Sequence, residues 1–201
     1  MQDVINQFGK EQIAGMTAAT RIEAFILLPV QSLGNAVTIF TGQNIGAGQM
    51  ERLKKGLRFS LMISISTIAL LSACMLIFGE SIISLIVGSD GQAVSSGNSY
   101  FTVCAWFYPL MAIMYCLAGV LEGAGDTIIA AVHSATSIVT RLAVTLILAP
   151  NIGFLAIAVS TSIGWGDATA IVCTRYFSGT WKSKKLIPTS ENRENFSVKR
   201  D

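Results

Sequence analysis

The chain has 201 residues, of which 52% are hydrophobic and 13% charged, with a mean hydropathy of +0.58 and a formal net charge of +2. So apolar and charge-poor a composition excludes an ordinary soluble domain of this size. The four cysteines, Cys74, Cys104, Cys116 and Cys173, sit in apolar runs without a CxxC pair, and His133 is the single histidine. No GxSxG, HExxH or paired-carboxylate pattern appears, so nothing points to an enzyme, a metal, a cofactor or a nucleic-acid partner.

In chain order, VINQFGKEQIAGMTAA reads as the end of one helix, a turn at Gly9 and the start of another. Apolar runs long enough to cross a bilayer, which takes about 20 residues, then follow at about five places. The spans are expected near residues 18–47, 57–79, 99–121, 127–148 and 152–178, within a region 1–181. Short Gly- or Pro-containing connectors make successive helices antiparallel neighbours. The fold class is therefore all-α, a polytopic helical bundle with the lipid bilayer as solvent. Residues 182–201 are polar and read as a disordered cytoplasmic tail.

Lys and Arg accumulate in cytoplasmic loops. The first connector holds Arg52, Lys54, Lys55 and Arg58, whereas the second, 79–99, has no Lys or Arg but has Glu80 and Asp90. The first is expected inside and the second outside, which by alternation puts the tail, with Lys182, Lys184, Lys185, Arg193, Lys199 and Arg200, inside a multi-pass (inner) cell-membrane protein. Tyr176 and Trp181 sit where interfacial aromatic anchors belong. An odd number of spans ending inside must begin outside, with no signal peptide to place it there. One more upstream span repairs the parity, so the chain reads as lacking its beginning.

The stretch TGQNIGAGQMERLKKG, with Gly42, Gln43, Asn44, Gly46 and Gly48, looks at first like a phosphate loop. Such loops follow a strand and open a helix; this one closes a long apolar helical run, and no Gly-Lys-Ser/Thr follows. Helix-end packing, with the basic residues held at anionic headgroups, is the better reading.

The run from Ala18 to Gly56, AATRIEAFILLPVQSLGNAVTIFTGQNIGAGQMERLKKG, resembles the eighth helix and following loop of the multidrug and toxic compound extrusion (MATE) family. GVLEGAGDT, which contains Gly123, Gly125 and Asp126, resembles that family's turn between its tenth and eleventh helices. The resemblance implies about five helices, eight to twelve, forming most of one six-helix lobe, with an N-terminal lobe as the missing partner. It also implies exchange of Na⁺ or H⁺, left unassigned between the two, for small-molecule organic cations by alternating access. Many bacterial members use acidic residues in helices seven and ten; this chain starts too late for the first, and residues 100–121 hold no carboxylate in the span itself. The alternatives are a lipid-linked oligosaccharide flippase of the same superfamily, against which the scarcity of Lys and Arg in the spans speaks, and a non-transporting remnant or accessory subunit.

Gln31, Asn35, Thr38 and Gly42 fall at i, i+4, i+7 and i+11, on one helical face. A polar stripe at membrane depth faces protein or water, so it lines a pathway or bonds a neighbouring helix. Pro29 and Pro109 are hinge candidates, and the aromatics around Pro109 could contact an organic cation through their faces. Glu23 and Arg21 are read as structural or surface residues near the outer end of the first span. Arg141 and Asp167 are the ionisable residues deepest in their spans. Arg141 is about seven residues, or ~10 Å, below the outer end and Asp167 about fifteen, or ~22 Å. The two are therefore not expected to pair. Either His133 partners Asp167 in a proton-responsive pair, or Arg141 snorkels outward while Asp167 bonds a nearby Ser or Thr.

Overall fold

A computed structural model describes residues 9–88 and 90–183. Six helices follow one another: α1 Lys10–Gly46, α2 Met50–Val87, α3 Gly91–Ala105, α4 Tyr108–Gly123, α5 Ile128–Ile152 and α6 Leu155–Phe177. A 3-10 turn, Thr180–Ser183, closes the described part. The tail beyond it, and residues 1–8, lie outside the described residues.

The protein is an all-helical membrane bundle; among the described residues four helices are long and apolar enough to span alone, with a fifth span if α3 and α4 are taken together. At 37 and 38 residues, α1 and α2 run to about 55 Å. That exceeds a hydrocarbon core of roughly 30 Å, so their ends extend past the apolar layer: α1 starts before the 18–47 expected, and α2 overruns 57–79 at both ends. The third span, expected to be one kinked helix over 99–121, is two helices bent by 54°. The break falls at Trp106–Phe107, and Pro109 sits in the first turn of α4, where its missing N–H costs no hydrogen bond. Pro29, by contrast, lies inside an uninterrupted α1.

Central in the bundle, α1 packs against α2, α3 and α4; α3 and α4 in turn pack on α6. Glycines set the α1–α4 distance. A Cβ on Gly119 would come within 2.5 Å of the Gly34 carbonyl, and one on Gly123 would collide with the Thr38 carbonyl. This small-residue spacing, Gly119-x-x-x-Gly123, lets two backbones touch in a medium where apolar burial alone does not drive association. The outer face of α2, with Phe59, Met62, Leu70, Ile77 and Leu85 all exposed, is suited to lipid. α5 packs chiefly on α6 and buries only Thr145 among its own residues.

Both glycine-rich segments end helices. Gly48 and Gly125 have φ of +69° and +83°. Around them Gln49 N donates to Asn44 O and Asp126 N to Leu121 O, each at 2.8 Å, while Gly48 N and Gly125 N donate to Ile45 O and Glu122 O. These are Schellman caps, which need a left-handed residue that glycine supplies without a Cβ penalty.

Candidate functional site

The polar residues of the first span divide. Gln31 Nε2 donates to the Tyr115 hydroxyl at 3.2 Å and Thr38 Oγ1 to its own Gly34 carbonyl, also at 3.2 Å. Asn35 is exposed, and Gly42 lies against Gly123. Asn44 is buried and donates to Phe40 O at 2.7 Å, while Gln43, Gly46 and Gly48 are exposed at the helix end. The stripe is therefore part helix contact and part open face.

The more concentrated polar site is built around Glu23. Its carboxylate lies partly buried on α1, with the Tyr108 hydroxyl of α4 at 3.5 Å from Oε2, the long end of the hydrogen-bonding range. Tyr100 of α3 and Arg141 of α5 are near enough to act on the same carboxylate's charge. Tyr100 and Tyr108 are almost wholly buried, and Tyr108 leans on Trp165 of α6 with ring centroids 5.6 Å apart. The break at Trp106–Phe107 makes this convergence possible, because it re-aims the chain between the two tyrosines. Of the structural or surface placement expected for Glu23, the surface half does not hold, because the helix carries it inward, between α3 and α4.

Arg141 bonds across to α6. Its Nη2 donates to Thr161 Oγ1 at 3.1 Å, its Nε is buried without a hydrogen-bond partner among the described residues, and its stem lies over Gly164, where a Cβ would come within 2.5 Å. Around it Thr145 donates to Ser160 Oγ at 2.7 Å, and Ser162 lies 4.0 Å from Cys104 Sγ. Asp167 accepts from Thr140 Oγ1 at 2.6 Å. No hydrogen bond joins it to His133 among the described residues, and His133 is half-buried elsewhere on α5. The reason is a shifted turn: α5 continues through Pro150 to Ile152 and α6 begins at Leu155, so Thr140 and Asp167 stand at equal depth. His133 is seven residues, or about 10 Å, farther along α5.

At the opposite end of α5, Asp126 is buried and accepts from Arg175 Nε at 2.6 Å, tying the α4–α5 turn to the last turn of α6. Residue-by-residue reading missed this pair and the Glu23 cluster. The available signal for Glu23 was the rule that an ionisable group inside a span is functional until shown otherwise.

The MatE family model matches residues 2–147. The chain belongs to the MatE family of membrane transporters. Over 188 residues, 93% of this chain, it is 28% identical to a protein named probable multidrug resistance protein YpnP from Bacillus subtilis, covering 42% of that protein. It is 23% identical to the probable multidrug resistance protein YoeA of the same species, over 62% of this chain and 27% of the relative. A protein named FAD transporter from Shewanella oneidensis is 30% identical over 55% of this chain and 24% of its own length. The chain thus spans less than half the length of the curated relatives it matches.

Proposed function

We propose that the chain forms one lobe of a cation-coupled efflux antiporter, with Glu23 as the exchange site for Na⁺ or H⁺ and organic cations as cargo. The observation that supports this reading is the Glu23 carboxylate held at membrane depth between two phenolic hydroxyls, with Arg141 as a more distant counter-charge. A charge is costly to keep there. The tyrosine hydroxyls can donate to an empty carboxylate or turn an oxygen toward a bound cation, so the same residues suit both states of an exchange cycle. The break beside Tyr108 gives that exchange a bend on which to act. The companion lobe faces α1, whose exposed Ser32, Asn35 and Gln43 want protein or water rather than lipid. The basic end of α2 lies in the cytoplasm, consistent with Arg52, Lys54, Lys55 and Arg58 there.

The test is Glu23→Gln introduced at the native locus, so that whatever completes the chain is present. Ethidium efflux is followed while the Na⁺ or the H⁺ gradient is collapsed in turn. Gradient-driven efflux disappears in Glu23→Gln and persists in part in Glu23→Asp; wild-type efflux by Glu23→Gln sinks the reading.

A second reading, an anionic dinucleotide as cargo, draws on the buried Arg141 Nε without a partner and on the relative named FAD transporter. Export of FAD but not ethidium, lost in Arg141→Gln, would favour it.

A further inference from the structure

At the basic end of the bundle, the first turn of α2 and the 3-10 turn after α6 enclose a cleft of about 120 Å³. Its walls include Lys54, Lys182, Tyr176, Trp181 and Leu53, together with the exposed Phe177. Trp181 is buried, stacks on Tyr176 with centroids 5.6 Å apart, and donates from Nε1 to Tyr176 O at 2.9 Å. Those bonds fix the turn and hold Lys182 Nζ 5.6 Å from the Trp181 ring centroid. The cleft is thus lined by a stacked aromatic pair, two cations and apolar side chains.

We propose that this cleft binds the phosphate of an anionic phospholipid, with Lys54 and Lys182 as its cationic jaws. The volume matches about four waters, enough for a phosphate group and not for a whole lipid. Phe177, 78% exposed, offers an apolar surface for the glycerol and first methylenes. Tyr and Trp at a helix end mark the headgroup level, and the positive end of the α2 dipole adds to the attraction. Glu51 already pairs with Lys54 at 2.6 Å, and that ammonium keeps its carboxyl below the usual range. Both side chains of the pair are exposed, and an exposed pair of this kind is weak, so Lys54 can exchange Glu51 for phosphate.

The test uses the purified full chain in detergent. Phosphatidylglycerol or phosphatidylcholine with identical acyl chains is titrated in, and bound lipid is counted by native mass spectrometry. Each cation near an anionic headgroup contributes about fivefold, so phosphatidylglycerol is held on the order of twentyfold more tightly. The preference disappears in the Lys54→Gln, Lys182→Gln double variant. It survives in the Arg, Arg double variant and in Lys10→Gln, at the far end of α1. Circular dichroism checks that each variant keeps its helices. Equal retention of both lipids by wild type, an unchanged preference in the Gln double variant, or displacement of the lipid by millimolar inorganic phosphate would each overturn the proposal.

Discussion

Thr140 Oγ1 donates to Asp167 Oδ2 at 2.6 Å, and the next residue, Arg141, donates to Thr161 at 3.1 Å. With Thr145 on Ser160, these bonds join α5 to α6 along a helix that buries little else. Thr140→Val removes the donor from a carboxylate at membrane depth and is expected to cost about 1–3 kcal/mol. Denaturant unfolding in detergent micelles, compared with the exposed control Leu142→Val, measures it; a change under about 0.5 kcal/mol would show that the bond contributes nothing.

The Asp126–Arg175 pair is asymmetric, with side-chain exposures of 2% and 33%. Arg175→Ala takes the guanidinium from a buried carboxylate, whereas Asp126→Ala leaves a guanidinium that can reach water. The arginine variant is therefore expected to be the less stable, with a loss on the order of 2–3 kcal/mol. A double-mutant cycle on melting in detergent gives the coupling, and equal losses would contradict the asymmetry.

Two glycine-to-alanine changes should behave oppositely. Gly123→Ala places a methyl against the Thr38 carbonyl and forces α1 from α4, at a cost of about 1–3 kcal/mol. Gly166 has nothing within 4 Å of an added Cβ, so Gly166→Ala is neutral or stabilising by up to about 1 kcal/mol through helix propensity. Thermal melts of the two variants decide it.

Much of the bundle is legible in the sequence because span-length apolar runs and glycine caps are local features. Gly48 and Gly125 mark helix ends in the letters alone. The break at Trp106–Phe107 is not legible, since Pro109 suits a helix's first turn as well as a kink. Nor is the Glu23 cluster: Tyr100, Tyr108 and Arg141 come from three other helices, and one helix's periodicity carries no information on which faces converge. The Thr140–Asp167 bond meets the reading in which Asp167 bonds a nearby Ser or Thr; which residue it takes depends on α5 continuing through Pro150 to Ile152, and that register is not legible in the letters.

The division of α1 into contacts and open face can be probed by labelling. Asn35→Cys is expected to react with a membrane-impermeant thiol reagent above the wild-type background, and Leu70→Cys, exposed on the lipid-suited face of α2, is not. Equal reactivity at both positions would place Asn35 against lipid and remove it from a water-filled path.

The central claim is that Glu23 takes up and releases a cation, and infrared difference spectroscopy of the purified chain tests it most directly. Spectra are recorded as Na⁺ is added at fixed pH and as pH is stepped at fixed Na⁺, for wild type and Glu23→Gln. The expected result is a carboxyl band that changes with one of the two ions in wild type and is absent in Glu23→Gln. Identical difference spectra for the two proteins would contradict it.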